Sequence, residues 1–292
     1  MAGRSGERQD APAPGPEPVA PGSEAALRAQ YSEPFGWWGY HWTPPEPRSL
    51  TWLIEHGVLD ERIAAFLSLA VESRASLLVV AEPHEAGKTT LLTALLDFLP
   101  PSVAPIYLRG WYERFTFLDV IPAEHAYVLC NEISAHLPTY LWGRGVRRVF
   151  EAAAAGYPLA TTMHATSARD AFEQLSAYPL EVPAQHLRSI DLVVTIGVGY
   201  ASNRLLRRVT SVEAVRPGDD GPLIETLATR EPLRSDLDHR LGRLVDVLAR
   251  WRGCSDETAA GLLARRERIL QQWLARGITA PADVRAAIAA LW

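Results

Sequence analysis

The sequence predicts an α/β fold with a mostly parallel sheet, followed by a small C-terminal helical region. Three observations carry this. Short continuous apolar runs such as Ser76-Leu-Leu-Val-Val-Ala81 recur through the middle of the chain, as expected of strands buried on both faces. Segments with apolar residues at helical spacing separate several of these runs, and strand–helix–strand alternation favours parallel pairing. Beyond residue 235 the pattern is helical only.

Residues 1–30 begin rich in Pro, Ala and Gly and hold too little apolar surface to offset the entropy of ordering, so a disordered leader is expected. They contain no apolar h-region and do not read as a signal peptide. In residues 31–48, Tyr31, Phe35, Trp37, Trp38, Tyr40 and Trp42 sit among prolines and glycines. The functional reading of this segment is docking on a partner or a neighbouring subunit; the other, which bulky aromatics favour, packs these rings on their own domain. The core is placed at 49–216. Asp60 reads as a helix N-cap, followed by Ile63, Phe66, Leu67 and Val71 at helical spacing. After the strand at 76–81, a helix is expected at 91–99, ended by Pro100-Pro101. Further strands are expected at 104–108, 126–130, 159–163 and 190–197, with helices near 140–155 and 167–175 between some of them. Residues 204–216 and 222–228 read as a hairpin turning at Pro217-Gly-Asp-Asp-Gly221. The hairpin remainder and the helical region fill 217–292, with helices near 235–251, 255–276 and 280–291; Asp256 and Pro281 mark two of the starts.

Composition narrows the function classes. The 292 residues carry 29 basic and 34 acidic side chains, a net charge of −5. With no positive excess to neutralise phosphates, specific nucleic-acid binding is not expected. Of the 29 basic residues 28 are arginine and one is lysine, Lys88. A coding bias explains the arginines. It also makes the lysine informative, because arginine was available wherever only a positive charge was needed. Cys130 and Cys254 lie 124 residues apart and form neither a disulfide framework nor a zinc spacing, so a reduced cytoplasmic compartment is expected. No run of about 18 apolar residues occurs, so no membrane span is expected. Residues 201–292 are mildly basic, 15 basic against 12 acidic. A solvated helical surface explains this; contact with an anionic membrane surface is the alternative.

Lys88 lies in Glu82-Pro83-His84-Glu85-Ala86-Gly87-Lys88-Thr89-Thr90, between a predicted strand and a predicted helix. That is the setting of a phosphate-binding loop. Inward-turned backbone N–H groups and a helix N-terminus hold the anion. A lysine suits the β/γ-phosphates as a flexible point charge, and the hydroxyl that follows it suits Mg²⁺. Gly87, Lys88, Thr89 and Thr90 meet these needs. Glu82 stands where the pattern has its first glycine, and Glu85 adds a second negative charge to the loop. A second element is Tyr127-Val-Leu-Cys-Asn-Glu132, an apolar strand ending in an acid 44 residues after Lys88. An acid at that strand end points into the crevice above the sheet, where it can orient or deprotonate a water or hold Mg²⁺ through water. A third is Ala160-Thr161-Thr162-Met163-His164-Ala165-Thr166-Ser167, a strand running into polar groups that can sense a γ-phosphate by hydrogen bonding.

Together these stretches resemble the type II/type IV secretion ATPase family, whose members power secretion systems, type IV pili and archaeal-type filaments. Ser49-Leu-Thr-Trp-Leu-Ile-Glu-His-Gly57 resembles the lead-in of its pilus-assembly and type IV secretion branches. Gly87-Lys88-Thr89-Thr90-Leu-Leu-Thr-Ala-Leu-Leu96 resembles its Walker A and following helix, Asn131-Glu132-Ile133 its Walker B, and 156–165 with 167–175 its His box. Arg207-Arg208-Val-Thr-Ser-Val-Glu213 is similar to the strand that follows, and the last helices to the archaeal-type branch. The resemblance covers about 49–292. It implies a RecA-like P-loop core and a homohexameric ring with ATP between subunits. It also implies a membrane-embedded platform protein as partner, and a cytoplasmic position at the inner face of the membrane held only through partners. By position, Lys88 would hold the β/γ-phosphates, Thr89 would ligate Mg²⁺, Glu132 would be the Walker B acid and His164 the His-box residue. Glu113 matches an acid of the Asp box.

The departures are specific. Arg109-Gly110-Trp111-Tyr112 stands near where the Asp box has Glu-Asp, and Asn131-Glu132-Ile133-Ser134 replaces Gly-Glu-Ile-Arg. Only 48 residues precede the resembling stretch, so most of the family's N-terminal domain is expected to be missing. That domain commonly supplies arginines to the neighbouring nucleotide; Arg109, Arg147 and Arg148 are the candidate substitutes. The expected function is an ATP-binding and ATP-hydrolysing motor subunit. Glu82, Glu85 and the missing Asp-box acids leave open a nucleotide-binding paralogue with weak or no turnover. A small-molecule P-loop kinase is the third reading, without an identifiable acceptor pocket or lid.

Overall fold

The computed structural model describes residues 23–34, 36–37, 46–201, 204–218, 221–231, 233–234 and 236–292. Helices begin where the sequence supplies a cap. Ser23 Oγ accepts the Ala26 N–H at the start of α1 (Glu24–Ser32), Ser49 Oγ the Trp52 N–H at α2 (Leu50–Glu55), and Asp60 the Ile63 N–H at α3 (Glu61–Glu72). There follow β1 (Leu77–Val80), α4 (Lys88–Leu96), β2 (Ala104–Tyr107) and β3 (Ala126–Ile133). Next come α5 (Arg144–Ala154), β4 (Leu159–Met163), α6 (Ala168–Ser176), the short α7 (Ala184–Leu187) and β5 (Leu192–Ala201). The chain then forms β6 (Arg204–Pro217), β7 (Pro222–Thr229), β8 (Asp238–His239), α8 (Leu241–Arg252), α9 (Asp256–Ala275) and α10 (Pro281–Ala289).

Among the described residues the strands form one sheet in the order β2-β3-β4-β1-β5-β6-β7-β8. The first five are parallel, with β1 at the centre between β4 and β5. From β5 onward pairing is antiparallel. The predicted α/β class with its mostly parallel sheet is therefore observed. The β1 side chains are buried on both faces, with Leu77 and Val79 in one apolar cluster and Leu78 and Val80 in the other. Helices α2, α3, α4, α8, α9 and α10 contribute to the first cluster, and α1, α5, α6 and α7 to the second. This produces a helix–sheet–helix sandwich with loops gathered above the carboxyl ends of the parallel strands.

Several sequence expectations are corrected. The leader was expected to run to residue 30, but α1 already occupies Glu24–Ser32, because Ser23 caps it and Leu27 and Tyr31 are buried; residues 1–22 lie outside the described residues. Within the expected docking segment, Tyr31 and Trp37 pack on their own domain, edge-on to Phe117 and Tyr107 at 5.3 and 5.0 Å. Phe35, Trp38, Tyr40 and Trp42 lie outside the described residues. Helix α4 begins at Lys88 rather than 91, because its first turn is polar and carries no apolar period. The helix expected from 235 begins at Leu241, since Asp238–His239 pairs with β7 instead. The C-terminal helices share one core with the preceding part of the chain: Leu263, Leu270, Trp273 and Val284 join the cluster that holds Phe66 and Leu77. Glu72 on α3 ties them down by pairing with Arg252 and the buried Arg266. Among the described residues no helix is long and apolar enough to cross a membrane.

Candidate phosphate-binding site

The loop after β1 ends at Gly87, whose φ of +93° places it in left-handed space as the N-cap of α4. Only glycine adopts this without strain. No side chain caps the helix, and its first turn carries no acid. The backbone N–H groups of Lys88, Thr89 and Thr90 therefore lack intrahelical partners, and the helix dipole favours an anion there. Glu85, in left-handed space at φ +57°, turns the loop toward this start. Its carbonyl accepts from Arg207 Nε on β6 at 2.8 Å. Glu82 and Glu85 are both exposed, and each contributes a backbone carbonyl rather than a carboxylate to the loop's contacts.

Glu132 reaches the same place through a break in strand alternation. Strict period-two spacing would put it on the face of Cys130. The β3–β4 register instead shifts between Cys130 and Ile133, so that Ile133 shares the Cys130 cluster. Such a bulge re-aims the side chains between the two positions. Glu132 Oε2 lies 3.6 Å from Lys88 Nζ, and Oε1 lies 3.3 Å from His164 Nε2 at the end of β4. Lys88 Nζ and His164 Nε2 are 3.4 Å apart. Lys88 and Glu132 are 5% and 7% exposed, a buried charge pair of the kind that is seldom retained for stability alone.

The electrostatics follow from this triangle. Burial pushes the Lys88 ammonium below its usual value, with Glu132 pulling the other way. Burial works to raise the Glu132 carboxyl, but the His164 hydrogen bond and the nearby Lys88 charge outweigh it and hold it low. The His164 imidazole is raised, first by its hydrogen bond to Glu132, against a cost of burial. Its Nδ1 donates to the Glu82 carbonyl at 3.0 Å. The neutral ring then leaves Nε2 to accept from Lys88, and the protonated ring donates Nε2–H to Glu132. Two further imidazoles stand beside it: His84 and His136, with ring centroids 4.2 and 6.2 Å from His164.

The structure thus brings Lys88, Glu132 and His164 together with the start of α4, where Gly87, Thr89 and Thr90 lie. The other candidates are engaged elsewhere. Glu113 accepts from Tyr31 Oη at 2.8 Å and from the backbone N–H groups of Arg109 and Phe115, which fastens α1 to the loop after β2. Arg109 Nη2 donates to the Gln30 carbonyl at 2.8 Å. Arg147 pairs with Glu181 and Arg148 with Glu151. The sequence reading had not singled out His84, His136 or Arg207 as site residues. His84 lies in the loop before Lys88 and Arg207 lies within β6, and no sequence spacing connects either to Glu132 or His164.

No family model matches the chain. The uncharacterized protein MJ0900 of Methanocaldococcus jannaschii is 28% identical over 262 residues, covering 80% of this chain and 46% of its own length. The chain thus spans about half of that relative. The uncharacterized protein MJ1287 of the same organism is 25% identical over 200 residues, covering 62% of this chain and 73% of its own length. Among solved structures, the VirB11 ATPase from the Brucella suis type IV secretion system, in complex with sulphate, aligns with a TM-score of 0.42 and 22% identity over 56% of this chain and 54% of that one. The ATPase DotB of Legionella pneumophila aligns with a TM-score of 0.36 and 14% identity, covering 85% of this chain and 67% of that one.

Proposed function

We propose that this chain is a P-loop ATPase, a motor subunit of a type II/type IV secretion or pilus-like apparatus. One observation carries the nucleotide reading: Glu132 and His164, from two adjacent strand ends, meet Lys88 at the uncapped start of α4 within 3.3–3.6 Å. The apparatus reading rests on the resemblance of residues 49–292 and extends to the hexameric ring and the membrane platform partner. The donor set fits Mg-ATP. A buried amine, free helix N–H groups and a hydroxyl at the second helical position are what a triphosphate and its magnesium require. In this reading the N–H groups of residues 88–90 and the Lys88 ammonium bind the β/γ-phosphates, Thr89 Oγ1 faces the metal, and Glu132 orients the water. Bound Mg²⁺ supplies neutralisation of charge developing on the phosphoryl oxygens. His164 holds Glu132 in place and can exchange a proton with it.

The engagement of Arg109, Arg147 and Arg148 inside the chain favours one second reading, a subunit that binds nucleotide but turns it over slowly. Binding and hydrolysis measured on the full chain separate the two. Lys88→Ala is expected to abolish Mg-ATP binding, and Glu132→Gln to keep binding while slowing hydrolysis by about 10²–10³-fold. Wild-type hydrolysis retained in Lys88→Ala overturns the ATPase reading; Lys88-dependent binding without turnover selects the second. Mass determination with and without Mg-ATP tests the ring.

A further inference from the structure

Three imidazoles crowd the open side of the site. His84 comes from the loop after β1, His136 from the loop after β3, and His164 from the end of β4. Their ring centroids lie 4.2 Å (His84–His164), 5.6 Å (His84–His136) and 6.2 Å (His136–His164) apart. His84 and His136 are exposed, whereas Lys88 and Glu132 beneath them are buried. His84 and His136 therefore adjoin His164, the imidazole in contact with Lys88 and Glu132.

Two ligand chemistries suit clustered imidazoles: a soft divalent cation, which needs ring lone pairs, and an oxyanion, which needs N–H donors. The hydrogen bonds here oppose the first. Both His164 nitrogens are engaged, Nδ1 with the Glu82 carbonyl and Nε2 with Glu132 and Lys88. His136 Nδ1 is held by Ser134 Oγ at 2.9 Å. Among the described residues no set of three His, Cys, Asp or Glu side chains is arranged to hold a metal. The second chemistry is consistent with what lies below. Lys88 is offset by Glu132, and the four candidate acids and arginines outside the triangle point to other partners, so terminal phosphate oxygens need further N–H donors. A neutral imidazole supplies one and a protonated ring two.

We infer that His84 and His136 are specificity-determining residues that donate to the terminal phosphate of the bound nucleotide and so distinguish a triphosphate from a diphosphate. This rests on the phosphate-site reading above. The Ser134 contact orients the His136 ring so that its Nε2 is the free edge, and His84 lies in the loop that wraps the phosphates.

The test is calorimetric binding of Mg-ATP and Mg-ADP to the full chain, with Lys88→Ala, His84→Ala, His136→Ala and the donor-retaining His84→Asn and His136→Gln. Hydrogen bonds to a charged acceptor at a partly exposed site predict a drop of about 3- to 10-fold in the ATP/ADP affinity ratio for each alanine variant, with ADP affinity unchanged. The amide variants are expected to recover part of that ratio. If the wild type binds ATP through Lys88 and both alanine variants keep its ratio, the inference is overturned while the proposed function stands. Equal loss of ATP and ADP in folded variants also overturns it. Histidine-dependent binding of Zn²⁺ with an unchanged ATP/ADP ratio overturns it in favour of a metal site. Absence of Lys88-dependent ATP binding in the wild type overturns both.

Discussion

Helices α3 and α4 flank β1 and pack on the same face of the sheet, yet they begin in opposite ways. At α3 the chain closes the helix end itself. Asp60 Oδ1 accepts the Ile63 N–H at 2.9 Å, Oδ2 meets His239 Nε2 at 2.7 Å, and Glu61 adds a negative charge to the first turn. At α4 it supplies a left-handed glycine, no cap and no acid, and it buries a lysine instead. The same terminus physics applies to both. The difference separates a helix start that the chain satisfies with its own side chains from one that it leaves uncapped, the one at which a phosphate is proposed to bind.

The comparison breaks most visibly in ligand-linked stability. A ligand at 100 times its Kd stabilises the state that binds it by about 2.7 kcal/mol. Mg-ATP at that excess is expected to raise the unfolding free energy of the wild type by about this amount and to leave Lys88→Ala unmoved. Asp60→Ala should show the full ligand increment from a lower baseline. Equal ligand response in Lys88→Ala and the wild type, read in chemical denaturation with and without Mg-ATP, would remove the contrast between the two helix starts.

The next effect belongs to α3 alone. Loss of an N-cap costs about 1–2 kcal/mol, so Asp60→Ala should lower stability by that much with nucleotide affinity unchanged. Its pH dependence has a definite sign. Burial works to raise the Asp60 carboxyl, but the hydrogen bonds from His239 and the Ile63 N–H outweigh it and hold it below the ordinary value of 3.8. An acid lowered in the folded state contributes stability that is fully present above its unfolded value and is lost as pH falls through the folded one. The gap between wild type and Asp60→Ala should therefore narrow in acid, below about pH 4. A gap constant from pH 7 to pH 2 would show that the carboxylate charge contributes nothing.

The closed start was legible in the sequence and the open one only in part. Asp60 followed by an apolar helical period is a local signal, and the strand runs at 76–81 and 159–163 are local too, so these elements could be placed from composition and spacing. Lys88 stood out because arginine replaced lysine everywhere else. What local pattern could not supply was convergence. The bulge at Asn131–Glu132 brings Glu132 to Lys88 against strand alternation, and nothing in the 126–133 sequence marks that extra residue. Glu113 and Glu132 look alike as acids near strand ends. One is saturated by Tyr31 and two backbone N–H groups, and the other by a lysine and an imidazole. Tyr31 lies 82 residues from Glu113, a separation over which sequence pattern carries no pairing information.

The smallest expected effect lies at the other end of α4 and sharpens the contrast, because there a charge serves neither purpose. Asp97 follows the last helical residue, where the dipole disfavours an anion. Burial pushes its carboxyl up to about 6, and Arg285 at 3.9 Å pulls it back only in part. An acid raised in the folded state binds its proton more tightly folded than unfolded. Its contribution is most favourable below the unfolded value of 3.8, declines as pH rises, and is lost above about pH 6. Asp97→Asn removes that decline, so it should stabilise the protein by about 1 kcal/mol at pH 7.5 and by nothing at pH 4. Denaturant midpoints of the two proteins at both pH values measure this. A variant equally stabilised at pH 4 would assign the gain to packing, and one destabilised at pH 7.5 would mean that the Arg285 pairing outweighs burial. The second outcome would make the C-terminal end of α4 a satisfied terminus like the start of α3, leaving the Lys88 end as the exception among the two helices.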